Sequence, residues 1–195
     1  MSGFNRLLLI IIVVMIVIMG VQTLMIFLRK PNFTQVYYRA CYTFKENGET
    51  VMDHTVKLAF KKYEDLKNAL NNFRQSSRED KMKVYKDVIG KLSKDIGRDL
   101  EVVSFASTAS EVDGLLQIHE VGVIKGIVKK EDDYNEISLG DNEIMLSGDS
   151  KLIFTLPEGA KVISVTPTPT QMRENVLVWV GPGKLKFPTV KYKLE

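Results

Sequence analysis

The two histidines of the chain, His54 and His119, are its most evident candidates for acid–base or metal chemistry. Each has an acidic neighbour, in the pairs Asp53-His54 and His119-Glu120. Two histidines exclude a three-histidine zinc site and leave open a mixed site with carboxylates. Both histidines lie in predicted strands, so a mixed site requires the fold to bring them together with Asp53, Glu120 and a distant carboxylate. We expect ordinary surface or half-buried histidines and no bound metal.

Serines and the single cysteine supply the nucleophiles that a hydrolase needs. One set has the residue types of a hydrolytic triad: Ser104, Ser107, Ser110, Asp113 and His119. These residue types are common, and the G-x-S-x-G pattern of a nucleophile elbow does not occur in the sequence. Cys41 and His54 form a second pair that the first predicted hairpin would bring close. We predict that neither set is catalytic and that Cys41, which has no partner for an intrachain disulfide, is a small buried side chain.

Loops rich in glycine or acidic residues are weaker candidates for ligand binding. Neither G-x-x-x-x-G-K-[ST] nor G-x-G-x-x-G occurs. Gly181-Pro182-Gly183-Lys184 is predicted to be a turn, in which Pro182 lacks an amide hydrogen that a phosphate cradle would use. Glu131-Asp132-Asp133 and Asp141-Asn142-Glu143 offer oxygen ligands for calcium, but without the spacing of an EF-hand. We expect solvated loops at both places and no cofactor.

An uncharged apolar run from Leu7 to Leu28 stands near the start of the chain. As a helix it would be about 33 Å long, which is enough for a hydrocarbon core of about 30 Å. A signal peptide has a shorter apolar stretch of about 7–15 residues, followed by small residues at its cleavage site. Here the run continues into Phe-Leu-Arg-Lys. We therefore predict that residues 1–30 are an uncleaved membrane anchor whose transmembrane helix spans residues 7–28.

The charges that flank this run give little information about its orientation. Arg6 precedes the run, whereas Arg29 and Lys30 follow it, so the positive-inside count is nearly balanced. A short head, a long apolar run and one folded body are the usual layout of a signal-anchor. We therefore predict a single-pass protein of the cell membrane with a cytoplasmic N-terminus. Residues 31–195 are then a single extracytoplasmic domain next to the lipid bilayer.

Charge is balanced in the body of the chain and uneven along it. The formal net charge of +3 comes entirely from the three basic residues around the apolar run, which argues against a nucleic-acid partner. Residues 57–98 nevertheless carry twice as many basic as acidic side chains. Five lysines fall in the second predicted helix: Lys81, Lys83, Lys86, Lys91 and Lys94. We keep two interpretations, a solvated helix face or a surface that meets anionic lipid headgroups or an acidic protein partner.

Two helices are predicted between strand-rich segments. Apolar residues recur at helical spacing over 61–74 and again over 78–97. Ser76 and Glu79 have the spacing of a capping box for the second helix, and Gly97 is placed to end it. The apolar stripes predict that both helices pack one face against the rest of the domain.

The remaining segments predict strands. Phe33–Phe44 and Thr50–Phe60 flank Asn47-Gly48, a pair typical of a hairpin turn. From Leu100 onward, short β-rich segments alternate with turn signals, and Trp179 is expected to belong to the core. The sequence therefore predicts an α+β domain: a mainly antiparallel β-sheet with a hairpin and a two-helix insertion packed on one face.

The stretch LPEGAKVISVTPTPTQMRENVLVWVGPGKLKFPTVKYKL, near the C-terminus, resembles a pattern in prokaryotic surface proteins. Its parts are "LP-x-G-A", a strand, a proline-rich turn and "N-x-L-x-W". Together with the predicted anchor, the layout resembles an uncharacterised single-pass family of thermophilic prokaryotes with a domain of unknown function. This resemblance implies an anchored envelope protein and carries no catalytic residues with it.

These observations predict a non-enzymatic, membrane-anchored envelope protein whose body binds a protein partner. One alternative is a carrier or sensor of an apolar ligand held between the sheet and the helices, which requires a larger cavity than a packed core leaves. A further alternative is an unrecognised hydrolase, which requires a cleft that joins Ser or Cys to His and a carboxylate. The sequence leaves the oligomeric state open.

Overall fold

The structure is a computed structural model that describes residues 32–194, and the predicted anchor lies outside them. The helices are α1 (Tyr63–Gln75) and α2 (Arg78–Ile96). The strands are β1 (Phe33–Phe44), β2 (Glu49–Phe60), β3 (Glu101–Val112), β4 (Leu115–Lys125), β5 (Val128–Lys130), β6 (Asn135–Ile137), β7 (Glu143–Leu146), β8 (Lys151–Thr155), β9 (Ala160–Thr166), β10 (Gln171–Arg173), β11 (Val176–Val180), β12 (Gly183–Lys186) and β13 (Thr189–Leu194). Neither of these helices is long and apolar enough to cross a membrane.

The strands of the described chain form a large sheet and two small ones. The seven-stranded sheet has the order β10-β11-β8-β1-β2-β4-β3. A four-stranded sheet has the order β5-β6-β13-β9, and β12 pairs with β7. Neighbours in the three sheets are antiparallel except β1 and β8, which run parallel. The predicted α+β class with a mainly antiparallel sheet is confirmed.

Two short turns build the antiparallel half of the large sheet. At Asn47-Gly48 the glycine has φ +83°, and the Asn47 side chain accepts a hydrogen bond of 3.0 Å from the amide of Glu49. At Asp113-Gly114 both residues have positive φ, +54° and +72°, as a two-residue type I′ hairpin requires. Asp113 therefore builds the β3–β4 turn, whereas the sequence analysis had placed it among the hydrolytic residues.

The junction of the helices differs from the predicted capping box. Ser77, not Ser76, is the N-cap of α2, and its hydroxyl accepts a hydrogen bond of 3.0 Å from the amide of Asp80. Ser76 still belongs to the end of α1, where its hydroxyl donates to the carbonyl of Asn72. Gly97 ends α2 with φ +63°, as predicted.

Two strands had no counterpart in the prediction, and one predicted strand is divided. β10 and β12 are short and mostly exposed, so they lack the apolar alternation that identifies a half-buried strand. β12 begins at Gly183, within the predicted turn. We had also expected one β-rich segment over residues 115–130, but it breaks at Gly126 into β4 and β5. There φ is +92°, and a Cβ atom would collide with the carbonyl of Asp99.

One face of the large sheet carries the hydrophobic core. Its inward side chains meet the buried faces of α1 and α2 over strands β2–β4. Toward the other end the core continues through Val190 and Tyr192 of β13. Trp179 is 2% exposed and donates a hydrogen bond to the carbonyl of Pro167, which confirms its predicted place in the core. The face opposite the helices is referred to below as the outer face.

Candidate functional site

Two ionisable side chains occupy neighbouring positions on the inner face of the large sheet. His54 of β2 and Glu120 of β4 are register partners, and they are 5% and 6% exposed. Apolar residues surround them along each strand, for example Met52 and Val56 beside His54. Because inward positions of a strand recur at every second residue, both side chains lie between the sheet and the helices.

Two tyrosines of β1 complete this arrangement. The ring of Tyr42 is 5.2 Å from the ring of His54, and that of Tyr38 is 6.0 Å from it, between centroids. The hydroxyls of both tyrosines and the Nε2 atom of His54 are buried without a hydrogen-bond partner among the described residues. We call Tyr38, Tyr42, His54 and Glu120 the polar cluster. Three buried polar atoms without partners in one place are unusual, since most buried polar atoms in folded proteins are hydrogen-bonded.

Helix α2 closes the polar cluster on one side through Tyr85. This ring stacks on Phe105 of β3 at 4.1 Å between centroids, and its hydroxyl lies 3.7 Å from the sulfur of Met52, to which it donates. Gly122 makes room for it, because a Cβ atom at that position would collide with the Tyr85 ring. A glycine in the middle of a strand therefore marks where the helix approaches the sheet.

Lys81 lies in the first turn of α2. At about 100° per residue it lies on the same side of the helix as the buried residues Tyr85 and Leu92. Its ammonium nitrogen is 3.8 Å from the ring centroid of Phe73 on α1, a cation–π contact. A cation in the first turn is opposed by the helix dipole, so this placement is not explained by helix stability.

Burial sets the protonation of the polar cluster. It raises the pKa of the Glu120 carboxyl from 4.5 to about 8, while the charge of Lys81 acts in the opposite direction. Burial also lowers the pKa of His54 from 6.5 to about 4, against the opposing effect of Asp53. The pKa of Tyr38 lies well above its usual value, chiefly through burial and then through Tyr42. Near pH 7 the polar cluster therefore holds a largely protonated carboxyl beside a neutral imidazole.

The histidine–carboxylate pairs named from the sequence are split between the two faces of the sheet, because neighbouring residues of a strand point to opposite sides. Asp53 and His119 lie on the outer face, where Nε2 of His119 is 3.0 Å from Oδ1 of Asp53 and both side chains are about half exposed. His54 and Glu120 lie on the inner face. The four side chains therefore do not assemble into one mixed metal site. Within residues 32–194, no group of three or more His, Cys, Asp and Glu side chains could hold a metal ion.

The hydrolytic residues are also separated. Ser107 faces Glu120 in the β3–β4 register, whereas His119 is opposite Thr108 and points to the other face. Ser104 and Ser110 are exposed. Cys41 pairs in register with Asp53 rather than with His54. It is half-buried on the outer face, which corrects its predicted full burial.

The acidic loops considered for calcium are engaged with lysines. Glu131 forms an ion pair with Lys129. Asp141 lies 3.5 Å from the ammonium of Lys186, and Glu143 lies 3.6 Å from that of Lys184. These three carboxylates therefore pair with lysine ammonium groups at the surface.

The five lysines of the second helix do not share one surface. Four of them are exposed: Lys83, Lys86, Lys91 and Lys94. Lys81 is half-buried on the opposite side, over Phe73. The acidic Asp87 lies among the exposed four, so their surface is of mixed charge. Contact of these lysines with lipid or with a protein partner stays a prediction.

Fold and site together define an α+β domain that encloses a buried polar cluster between a mainly antiparallel sheet and two helices. The chain belongs to the DUF4897 family, a domain of unknown function, which matches residues 33–193. The predicted membership of an uncharacterised family is thus confirmed. Comparison with curated protein sequences gives no match.

Two solved structures illustrate the similarity of the fold. The folded domain of the LppM protein of Mycobacterium tuberculosis, determined by NMR, aligns with a TM-score of 0.47 and 13% identity, over 86% of this chain and 95% of that one. An M1 zinc metallopeptidase of Deinococcus radiodurans aligns with a TM-score of 0.33 and 7% identity, over 84% of this chain and 42% of that one. At these scores neither similarity supports an argument about ligand, activity or location.

Proposed function

We propose that this chain is a non-enzymatic, membrane-tethered protein of the cell envelope whose extracytoplasmic domain opens to bind a small polar ligand at the polar cluster, which is closed in this structure. The unpartnered polar atoms of Tyr38, Tyr42 and His54 carry this proposal. A buried polar atom without a partner destabilises a fold by about 1–3 kcal/mol. A ligand that supplies hydrogen-bond partners removes this penalty, which gives a physical reason to keep such atoms together.

The polarity of these groups narrows the ligand class. The sequence analysis considered a carrier of an apolar ligand in the same place, between sheet and helices. An apolar molecule would leave the two tyrosine hydroxyls and the imidazole nitrogen of the polar cluster without partners. A polar ligand satisfies them, and we therefore modify that alternative from an apolar to a polar ligand.

Protein-partner binding is the second candidate function. The observation that favours it is the exposure of Lys83, Lys86, Lys91 and Lys94 along one helix, within reach of an acidic envelope protein. This function and ligand binding at the polar cluster use opposite sides of α2, so they are compatible with each other.

The proposal of a membrane tether is based on the uncharged run Leu7–Leu28. We expect the full-length chain to remain in the membrane pellet after carbonate washing of cells, because a span of this length is not extracted by alkali. A chain that lacks residues 1–30 is the matched control and should appear in the soluble fraction. Full-length protein in the supernatant would contradict the tether.

Ligand binding predicts stabilisation by added solutes. We expect at least one class among amines, carboxylates and polyols to raise the thermal midpoint of the full-length chain in detergent, since a ligand that binds only the folded state stabilises it. The effect should be smaller in a Tyr38→Phe/Tyr42→Phe variant, which loses two hydroxyl partners. Absence of any shift in all three classes would contradict the proposed function.

A further inference from the structure

We propose that the end of the domain at which β1 begins docks on the headgroup layer of the bilayer that holds the tether. The contact surface consists of Phe33, Phe60, Lys61, Lys62 and Tyr63, which we call the proximal rim. This inference rests on the membrane tether of the proposed function and is independent of any ligand at the polar cluster. It specifies which surface of the domain meets the lipid.

Strand pairing brings the proximal rim together at one end of the large sheet. Phe33 opens β1 and Phe60 closes β2; the two are register partners, and their ring centroids are 5.5 Å apart. The amide of Lys61 donates a hydrogen bond of 3.0 Å to the carbonyl of Asn32. The entry of the chain into β1 is therefore held beside the connection from β2 to α1, which begins two residues after Lys61.

The length of chain before β1 limits how far this end can stand from the membrane. Four residues, 29–32, separate the end of the apolar run at Leu28 from Phe33. Even fully extended, this connection spans at most about 18 Å. The headgroup layer itself extends about 5–7 Å beyond the hydrocarbon core on each side. The proximal rim is therefore the part of the domain that the tether brings to the lipid surface.

Tyr63 provides an exposed aromatic ring at this end. It continues the apolar stripe of α1, in which Leu66, Leu70 and Phe73 are at most 6% exposed, yet Tyr63 itself is 53% exposed. Within residues 32–194 it is the one aromatic side chain among the exposed large apolar residues. Tyrosine is enriched where hydrocarbon meets water, because its ring is apolar and its hydroxyl polar. Contact with the headgroup layer explains why a buried stripe ends in an exposed ring.

Lys61 and Lys62 add two positive charges next to this ring. Both side chains are exposed, and neither ammonium forms an ion pair with any of residues 32–194. A lysine can lay its apolar stem along a membrane surface while its ammonium group meets lipid phosphates. The two lysines and Tyr63 are consecutive in the chain, so all three can meet the same layer.

The charge around the proximal rim is mixed. Glu64 pairs with Lys67 at 3.8 Å, a carboxylate oxygen of Glu111 accepts a hydrogen bond of 3.3 Å from Tyr63, and Asp113 lies in the neighbouring β3–β4 turn. Net charge therefore does not drive the docking. We expect the tether and the ring to determine it, with lipid phosphates as partners of the lysines, so that a zwitterionic bilayer is sufficient.

Docking through the proximal rim points the β1–β2 hairpin away from the membrane. Each of its strands has 12 residues. At about 3.3 Å per residue the turn at Asn47-Gly48 is about 40 Å from the rim. A domain lying on its outer face would instead bring both ends equally close to lipid. That face exposes Arg39 and the pair of Asp53 and His119, which contact with lipid would remove from water.

Two matched fluorescent labels distinguish these arrangements in the full-length chain. Cys41, the only cysteine, is first replaced by serine. Exposed glutamates near the two ends are then replaced in separate variants, Glu64→Cys beside the proximal rim and Glu46→Cys in the β1–β2 turn, and labelled with the fluorophore NBD. In phosphatidylcholine vesicles that contain a headgroup-nitroxide lipid, we expect the label at position 64 to lose most of its fluorescence. The label at position 46 should keep its fluorescence.

A second set of variants tests the side chains of the proximal rim. In a Lys61→Gln/Lys62→Gln/Tyr63→Ser variant, the quenching at position 64 should fall by about half or more, since the contacts of the ring and of both ammonium groups are lost. Lys83→Gln/Lys86→Gln removes two exposed lysines of α2 and is the matched control, expected to leave the quenching unchanged. Thermal midpoints of all variants verify that they are folded.

Each outcome decides between the proposals. Release of the full-length chain by carbonate would remove the tether, and with it this inference. If the chain stays in the membrane but both labels are quenched equally, the domain lies flat, and the inference is overturned while the tether stands. Absence of quenching at both positions would overturn it as well and leave the rim to a protein partner. Unchanged quenching in the rim variant would show that the named side chains do not make the contact.

Discussion

Replacing Glu120 by glutamine is expected to remove the fall in the free energy of unfolding that Glu120 causes between pH 6.5 and about 8. In the wild type, stability should fall across this interval as the pH rises. The folded carboxyl keeps its proton up to about pH 8, whereas the same group in the unfolded chain loses it near 4.5. The folded state therefore binds more protons than the unfolded state, and the slope is at most about 1.4 kcal/mol per pH unit.

The interval is chosen because His54 acts in the opposite direction below it. Its pKa is lowered from 6.5 to about 4, so between these values the folded state binds fewer protons than the unfolded state and stability rises with pH. From pH 4.5 to 6.5 the contributions of His54 and Glu120 therefore largely cancel. Above pH 6.5 the contribution of His54 declines, and it is nearly absent above about pH 7.5. Because this contribution is the same in the wild type and in Glu120→Gln, the difference between their slopes reports Glu120.

Urea unfolding of the full-length chain in detergent, at half-unit steps from pH 6.5 to 8, measures this slope. Glu120→Gln should lose the fall in stability and keep only the small rise from His54 below about pH 7.5. It should also have a higher unfolding midpoint than the wild type at pH 8, since it no longer encloses a charge. Glu158→Gln alters an exposed carboxyl and is the control, expected to keep the wild-type slope. A wild-type profile without a slope, or a slope that persists in Glu120→Gln, would show that the carboxyl is not held protonated.

Replacing Phe154 by alanine is expected to reduce the free energy of unfolding by about 3–5 kcal/mol. This fully buried ring of β8 lies between four aromatic neighbours, with centroids 5.1 Å from Phe44 and Trp179 and 5.4 Å from Phe187. Tyr42 of the polar cluster is 5.3 Å away. Removal of the ring leaves a cavity where two strands of the large sheet meet the segment before β13.

The same urea experiment at pH 7 checks this value. Ile163→Ala removes a large apolar side chain that is 52% exposed and is the matched control, with an expected change below about 0.5 kcal/mol. Equal unfolding midpoints for Phe154→Ala and Ile163→Ala would contradict the central place of Phe154 in the core.

Local patterns predicted the elements that short-range chemistry determines. Asn47-Gly48 identified the first hairpin, because few residues other than glycine adopt the positive φ of its turn. The helical stripes placed both helices within two residues of their observed ends. The capping box was wrong by one residue, since Ser76 and Ser77 are equivalent by type and only the course of α1 assigns them to different helices.

Long-range pairing could not be predicted in this way. β8 lies beside β1, with Arg39 opposite Lys151, and no local pattern relates segments so far apart in the chain. The same limit applies to the short polar strands β10 and β12. Their pairing is stabilised by neighbours that the sequence does not identify.

The candidate site was accessible to sequence reasoning only in part. His54 and Glu120 were both named, but each was grouped with its sequence neighbour, as in Asp53-His54. Strand alternation separates such neighbours onto opposite faces, and Leu116, Ile118, Glu120 and Ile124 share one face of β4. That alternation is a sequence signal for a buried carboxyl, and the sequence analysis did not use it. The unpartnered hydroxyls of Tyr38 and Tyr42 depend on tertiary packing and had no sequence signal.

The central position of β1 has a mechanical consequence for a tethered domain. Pulling on the chain before Phe33 loads a strand that β2 holds along its length and β8 holds from Arg39 to Thr43. Detaching β1 therefore requires the rupture of two hydrogen-bond ladders, whereas an edge strand is held by one.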